Sequence, residues 1–313
     1  MRQGVAVASF SIGEAIGAPF SVLRRKPLII LAWGFAYMVL AFGPSLLLGS
    51  AMIPGIVGMA QSGDEPDAAA MAALMGPAMA MYPLLFLTTI AAQAVLMGAA
   101  YRSVLEPEAS RFAYLRLSSQ ELWLGLVNTV VAIVLGLSAG VLVVVLALIG
   151  GVGAAVAGGA ESMGSGLALT LVGLVLAGIG ILVWVALRLS MATPMTFVDR
   201  TFRLFESWSL TRGAALRLFG LFLLVGVLAL LLVIGVELLV LAIGGVAIGG
   251  LIGSDLQALE HLDFAALGGA IIGAFLLGTL LFAAILGFVS LLSYAPLAAV
   301  YRQLKGPDAE TFA

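Results

Sequence analysis

Six long runs of apolar residues alternate with short polar segments along the chain. They cover residues 27–53, 76–100, 122–151, 165–187, 218–246 and 264–300. Each run exceeds the roughly 20 residues that a helix needs to cross the hydrocarbon core of a bilayer. The runs are continuously apolar rather than alternating, which favours helices over the strands of a β-barrel. The pattern therefore predicts an all-α integral membrane protein with six transmembrane helices.

The amino-acid composition agrees with a chain that lies mostly in lipid. Of the 313 residues, 63% are hydrophobic and only 10% are charged. A soluble domain carries about 25% charged residues. These values exclude soluble globular and disordered classes, and the absence of cysteine excludes a disulfide-stapled scaffold.

All 14 lysines and arginines lie before the first, third and fifth predicted spans or after the sixth. The connections after the first, third and fifth spans hold none. They carry instead Asp64, Glu65, Asp67, Glu161, Asp255, Glu260 and Asp263. Short loops rich in Lys and Arg stay in the cytoplasm. We therefore expect a multi-pass protein of the bacterial cytoplasmic (inner) membrane with both the N- and C-termini cytoplasmic.

An amphipathic stretch precedes each odd span, and we expect three cytoplasmic interfacial helices there. Each contains a pair with the spacing of a helix N-terminal capping box: Ser11 and Glu14, Ser118 and Glu121, and Thr196 and Asp199. Their basic residues predict contacts with anionic headgroups of the cytoplasmic leaflet. The predicted headgroup contacts are Arg24, Arg25, Lys26, Arg200, Arg203, Arg212 and Arg217. Trp33, Trp123, Trp184 and Trp208 are distributed as interface anchors would be.

Similar segments recur along the chain and indicate an internal repeat. The second span closes with Tyr101–Arg102 and the sixth with Tyr301–Arg302, each after two small or β-branched apolar residues. We expect one six-span membrane domain over residues 1–306, with three αα repeat units at 1–107, 108–200 and 201–306. Residues 307–313 form a short cytoplasmic tail. The pairs Gly136/Gly140 and Gly269/Gly273 have the spacing that lets transmembrane helices pack closely.

Two groups of short motifs carry a family resemblance. They are SIGEAI (11–16) with LRRKP (23–27), and RLS (188–190), Pro194 and Val198 followed by ESWSLTRG (206–213) and LFG (218–220). They resemble the bacterial family of multi-spanning proteins related to the membrane domain of glycerophosphoryl diester phosphodiesterase. Some members of that family carry a soluble phosphodiesterase domain after the membrane part. Because only 13 residues follow Val300, we expect none here. The resemblance implies a membrane domain of uncharacterised activity and transfers no catalytic residue.

Three polar residues within the spans form a candidate intramembrane site: Glu237, Gln93 and Asn128. Glu237 lies 20 residues past Arg217, or about 30 Å along a helix. An ionised carboxylate in lipid is costly, so Glu237 should be protonated, partnered or in contact with water. Small residues on its face, including Gly226 and Ala229, indicate that it points into the bundle. A proton or cation site and a hydrogen bond to a neighbouring helix both remain open. For Gln93 and Asn128 we favour interhelical hydrogen bonds.

Groups able to perform catalysis do not converge in this sequence. The single histidine, His261, lies beside Glu260 in an acidic loop, where we expect a solvated surface rather than a metal site. We expect no catalytic, cofactor or metal-binding residue, no cofactor and no nucleic-acid partner. The main hypothesis is a non-enzymatic, lipid-associated membrane scaffold that assembles with itself or with other envelope proteins. The alternative is a lipid or small-solute transporter that uses Glu237. A membrane enzyme acting on a phospholipid or a glycerophosphodiester has only the family resemblance behind it.

Overall fold

The structure, a computed structural model, describes residues 10–62, 68–157, 165–252 and 264–305. Over these ranges the chain is helical and contains no strand. In chain order the helices are α1 (Ile12–Arg25), α2 (Ile29–Tyr37), a π-helical segment (Met38–Phe42), α3 (Gly43–Ser62), α4 (Ala68–Leu105), a 3₁₀ turn (Arg111–Tyr114), α5 (Ser119–Ala157), α6 (Ser165–Leu189), α7 (Ala192–Asp199), α8 (Glu206–Leu210), α9 (Ala215–Ile252) and α10 (Phe264–Lys305). The tail 307–313 and the three acidic connections around residues 64, 161 and 255 lie outside these ranges.

Six helical segments of the described chain are long and apolar enough to cross a membrane. They are Ile29–Gly58, Ala78–Leu105, Arg111–Gly153, Ala168–Asp199, Ala215–Leu239 and Leu276–Lys305. The first of them joins α2, the π-helical segment and α3. This confirms the six spans that the apolar pattern predicts and shows a polytopic membrane protein.

Only the first of the three predicted amphipathic helices is a single helix. Helix α1 buries Ala15, Ala18 and Val22, while Glu14 and Arg24 are exposed on it. It ends just before Pro27, which has no N–H to continue the helix. Phe20 on α1 is nevertheless 38% exposed, so the amphipathic, interfacial character of this helix stays a prediction.

The other two stretches differ from the prediction. Residues 110–121 form the 3₁₀ turn, an extended link and the start of α5. Residues 196–217 contain the end of α7, a loop, the short α8 and the start of α9. Neither forms the single amphipathic helix that its spacing predicts, because both fold back along the ends of longer helices.

The three predicted capping pairs have different outcomes. At Ser118 the capping box is confirmed: Oγ accepts the N–H of Gln120 at 3.3 Å, and the Glu121 carboxylate accepts the N–H of Ser118 at 2.9 Å. Helix α1 begins directly after Ser11, as predicted, and the Ser11 N–H donates to Gln303 Oε1 at 2.7 Å. The third prediction, a cap formed by Thr196 and Asp199, is wrong, because Thr196 lies inside α7.

The described chain separates into two compact units. Unit 1 comprises Met1–Ile12, Leu117–Gly220 and Val300–Ala313, and unit 2 comprises Gly13–Arg116 and Leu221–Ala299, as far as these ranges are described. The division into repeat units at 1–107, 108–200 and 201–306 stays a prediction.

Unit 2 is held by a close crossing of α2 and α10. A Cβ atom added to Gly34 would overlap the backbone carbonyl of Ala283, and one added to Gly287 would overlap the backbone carbonyl of Ile30. The contact is reciprocal, with residues four apart on each helix. Only glycine permits backbones to come this close, so the van der Waals contact between these helices depends on both positions.

The glycine pairs predicted from spacing do not form such a contact. A Cβ at Gly136, Gly140 or Gly273 would meet no atom within 4 Å, and the side-chain position of Gly269 is not described. The prediction that these pairs mediate close packing is therefore wrong for the three glycines that the structure describes. Small-xxx-small spacing is frequent in a glycine-rich chain, and spacing does not show which pair faces another helix.

Unit 1 packs through side chains instead. Helices α5 and α6 lie side by side, and Leu142 of α5 fills the space beside Gly178 of α6. Nearer the start of α5, the buried residues Val127, Leu189, Ala192 and Leu204 form a small apolar core. This core joins α5 to the segments that follow α6.

Candidate functional site

The three polar residues predicted as an intramembrane site occupy different environments. Glu237 is exposed on α9, whereas Gln93 on α4 and Asn128 on α5 are half-buried and take part in polar interactions. Gln93 and Glu237 belong to unit 2, and Asn128 belongs to unit 1. Interhelical hydrogen bonds for Gln93 and Asn128 stay a prediction.

The expectation that Glu237 points into a helix bundle is wrong. The side chain is exposed, and Gly226 on the same face is exposed as well. Small residues along one face reduce the bulk of a helix, but they do not identify the direction in which that face points. The exposed position does not favour the transporter hypothesis, which needs Glu237 on an enclosed path.

Six of the seven cations predicted to contact headgroups are exposed: Arg24, Arg25, Lys26, Arg200, Arg212 and Arg217. Arg203 is half-buried. Its Nε lies 3.3 Å from Asp199 Oδ2, and its Nη1 lies 3.3 Å from Glu206 Oε1. Arg203 is therefore largely committed to carboxylates of its own segment.

Asp199 links the end of α7 to the end of α10 within unit 1. Its second oxygen, Oδ1, lies 3.7 Å from Nζ of Lys305. Next to it, Thr196 Oγ1 accepts the backbone N–H of Arg203 at 3.1 Å. The residues expected to cap a helix start thus close the loop that follows α7, where Arg200 adopts a left-handed conformation (φ 54°).

Helix α8 is attached to the end of α6 by hydroxyl groups. Ser207 Oγ donates to the carbonyl of Arg188 at 2.6 Å and accepts the N–H of Met191 at 3.1 Å. Thr211 Oγ1 donates to the carbonyl of Ser207 at 2.9 Å. Backbone groups left over at the end of a helix need partners, and buried hydroxyls supply them here.

Arg188 itself is held by aromatic rings. Its guanidinium carbon lies 5.5 Å from the ring centre of Trp184 and 5.7 Å from that of Trp208, and the two rings meet edge to face at 4.9 Å. Nε and Nη1 are shielded from solvent and have no hydrogen-bond partner among the described residues. Cation–π attraction to both rings therefore contributes to the stabilisation of this charge. The two tryptophans thus pack together instead of acting as the separate interface anchors expected from their distribution, and the four-residue spacing of Trp184 and Arg188 is the sequence signal for this contact.

The equivalent connection in unit 2 is a strained turn. Phe112, Ala113 and Tyr114 all have positive φ angles, 52°, 54° and 66°. Left-handed backbone costs non-glycine residues about 1 kcal/mol or more each, so surrounding groups must hold it. No glycine or asparagine marks this turn, which is why the sequence did not predict it.

Side chains from two spans hold this turn in place. Trp33 Nε1 donates to the carbonyl of Ala113 at 2.7 Å, and Arg102 Nη1 donates to the carbonyl of Tyr114 at 2.8 Å. The Tyr114 hydroxyl donates to the carbonyl of Pro107 at 2.9 Å. Trp33 and Arg102 are both fully buried. Their hydrogen bonds satisfy the carbonyls that the turn directs inward.

In each unit, helix ends that border segments carrying Lys and Arg lie together. In unit 2 the start of α2 and the end of α4 meet at the strained turn, as the bonds from Trp33 and Arg102 show. In unit 1 the start of α5 reaches α7 through the bond from Gln120 Nε2 to the carbonyl of Phe197, at 3.3 Å. The end of α10 reaches α7 through Lys305 and Asp199.

Comparisons of the chain with known protein families, with curated proteins and with solved structures find no match. Within the described ranges no three His, Asp or Glu side chains come close enough together to hold a metal ion. His261 lies outside those ranges.

Proposed function

We propose that this chain is a non-enzymatic membrane scaffold of the bacterial inner membrane that binds the anionic headgroups of one leaflet. The observation that carries the proposal is that, in each unit, helix ends bordering basic segments meet at a fixed connection. The connection is the 3₁₀ turn in unit 2 and the α7–α8 region in unit 1. Both termini and all three amphipathic stretches lie on the cytoplasmic side in this proposal.

The distribution of charge supports this function. Arg200, Arg212 and Arg217 are exposed and form no ion pair with a described carboxylate. Each exposed cation near an anionic membrane surface contributes about 1 kcal/mol to binding. Several such residues in one unit therefore produce a clear preference for acidic lipid without any enclosed binding site.

The exposed apolar surface of the spans supports residence in lipid and assembly. Leu137, Val141 and Leu148 on α5 and Leu230 and Leu241 on α9 are mostly exposed. Such surfaces contact acyl chains or other transmembrane helices. We propose that the chain assembles with itself or with other envelope proteins through faces of this kind.

Lipid selectivity tests the proposal. The purified chain, reconstituted from equal amounts of phosphatidylglycerol and phosphatidylcholine, should retain phosphatidylglycerol preferentially when the retained lipid is measured by mass spectrometry. Combined replacement of Arg200, Arg212 and Arg217 by glutamine should reduce this preference.

Arg203→Gln is the matched control for the triple variant. Its charge is already paired with Asp199 and Glu206, so it should change lipid selectivity far less than the triple replacement. Equal retention of both lipids by the wild-type chain would contradict the proposed function.

A further inference from the structure

A cavity of about 480 Å³ opens beside the strained turn in unit 2. Lys26, Leu28, Ile29, Ala32, Ser110 and Ala113 are among the residues that line it. The volume lies within the roughly 300–1,000 Å³ of typical small-molecule sites. The cavity thus combines one cation and one hydroxyl with a mainly apolar wall.

The wall of this cavity is preformed. Ala113 is held in its left-handed conformation by the hydrogen bond from the buried Trp33, and the next residue is held by Arg102. The Lys26 ammonium lies 5.2 Å from the ring centre of Tyr114, whose hydroxyl is bound to Pro107. A site whose groups are fixed before binding loses little entropy when its ligand arrives. Backbone strain that is held by so many contacts is characteristic of ligand sites.

The charge around the cavity is positive. Residues 24–26 and 106–116 contribute the exposed cations Arg24, Arg25, Lys26, Arg111 and Arg116, against the carboxylates Glu106 and Glu108. The fully buried Arg102 adds a further positive charge beneath the turn. The polar end of the cavity therefore complements an anion.

The other end of the cavity is apolar and lies where the first span begins. That span starts at Ile29, one of the lining residues, and Leu28 beside it is 73% exposed. Phe112 in the turn is 84% exposed. A ligand in the cavity thus has its charged part beside Lys26 and its apolar part beside a membrane-spanning helix.

We propose that this cavity binds one anionic phospholipid, with the phosphate at Lys26 and Ser110 and the upper acyl chain against Leu28, Ile29 and Ala32. The proposal rests on the proposed function and adds a defined site to it. In this site the Lys26 ammonium forms a charge-assisted hydrogen bond to a phosphate oxygen, and the Ser110 hydroxyl donates a second. A soluble phosphate would also pair with Lys26, but it would not make the apolar contacts that the cavity offers to an acyl chain.

Native mass spectrometry of the full chain in detergent tests the site. The wild-type chain should retain a phosphatidylglycerol molecule, and Lys26→Gln should lower the retained fraction about fivefold, the effect of one cation near an anionic lipid. Lys305→Gln is the control, because it makes the same substitution at a lysine whose ammonium already lies 3.7 Å from Asp199 Oδ1 and which does not line the cavity. It should change retention by less than about twofold.

Two further experiments distinguish a bound phospholipid from a soluble phosphate and test the site with a second variant that keeps Lys26. Ala32→Phe fills the apolar end and should lower phosphatidylglycerol retention while Lys26 stays intact. Glycerol 1-phosphate, which has the headgroup phosphate without acyl chains, should not displace the lipid at equal concentration.

Displacement by glycerol 1-phosphate, or full retention by both Lys26→Gln and Ala32→Phe, would overturn the site. If the wild-type chain shows no preference for phosphatidylglycerol over phosphatidylcholine, the proposed function fails as well. If that preference persists while both variants retain lipid normally, this site alone fails.

Discussion

The two units stabilise the connection after an even-numbered predicted span through different contacts. In each, an arginine near the end of an even-numbered predicted span stabilises the connection that follows. In unit 2 the guanidinium of Arg102 bonds to a strained backbone, and the spans cross through glycine. In unit 1 the guanidinium of Arg188 lies over two tryptophans, hydroxyls bond to its carbonyl, and the spans pack through side chains.

The difference separates a unit with a strained connection from a unit with a relaxed one. Three consecutive left-handed non-glycine residues in unit 2 are maintained by buried donors, whereas the described connections of unit 1 have positive φ at Arg200 and at Gly213, where glycine carries no penalty. The strained connection borders a cavity with a cationic end, and the relaxed connection presents Arg200, Arg212 and Arg217 directly at the surface. In the proposed function, the two units place positive charge at the membrane surface in these two different ways.

The largest expected effect concerns the glycine crossing. Gly287→Leu should destabilise the protein by about 3 kcal/mol or more, because the new side chain has no space beside the Ile30 carbonyl. Gly140→Leu is the matched control, since a Cβ at that position meets no atom within 4 Å. Thermal unfolding in detergent measures both variants. Equal unfolding temperatures of the two variants would contradict the difference between the close backbone crossing in unit 2 and the side-chain packing in unit 1.

The second test compares the two arginines. Arg102→Met should cost about 2 kcal/mol, because the Tyr114 carbonyl loses its donor inside the protein. Arg188→Met should cost about 1 kcal/mol through the loss of its cation–π contacts. Unfolding in detergent measures the difference. Faster tryptic cleavage at Arg111 and Arg116 should accompany only the Arg102 variant. An Arg188 variant that is the less stable of the two would contradict the comparison.

A serine substitution examines the connection of unit 1. Ser207→Ala should cost about 1.5 kcal/mol, because it removes the buried hydroxyl between the Arg188 carbonyl and the Met191 N–H. Ser209 lies on the same short helix but is exposed, so Ser209→Ala should cost less than about 0.5 kcal/mol. The change in Trp184 and Trp208 fluorescence should follow the same order. Identical behaviour of the two alanine variants would show that the α6–α8 junction does not depend on Ser207.

The smallest expected effect is a gain in stability. Ala113→Gly should stabilise the protein by up to about 1 kcal/mol, because glycine adopts positive φ without the penalty that alanine carries. Ala109→Gly, in the same connection but without a positive φ, should give no gain. Chemical unfolding of the two variants provides the measurement. Loss of stability in Ala113→Gly would show that the turn is not strained.

The fold was predictable as far as hydrophobicity determines it. The cost of placing polar backbone in lipid requires helices of membrane length, so the six spans follow directly from the apolar runs. The Ser118 capping box was predictable as well, because its residues act within one helical turn.

The connections were not predictable, because their structure depends on distant partners. The turn at residues 112–114 exists because Trp33 and Arg102 supply donors from elsewhere in the chain. The same dependence explains the errors at Thr196 and Glu237, where the local pattern predicts a cap and a buried face. Gly34 and Gly287 were missed because their spacing to small residues does not differ from that of glycines on open faces.

The measurement that tests the central claim most directly is the accessibility of single cysteines on the two sides of the membrane. The chain has no native cysteine, so each introduced thiol is a unique label. In intact bacterial cells a membrane-impermeant maleimide should label Asp64→Cys, Glu161→Cys and Asp255→Cys. Ser110→Cys and Arg212→Cys should react only after the cells are opened. Labelling of either of these two in intact cells, or protection of any of the first three, would contradict a basic surface confined to the cytoplasmic leaflet.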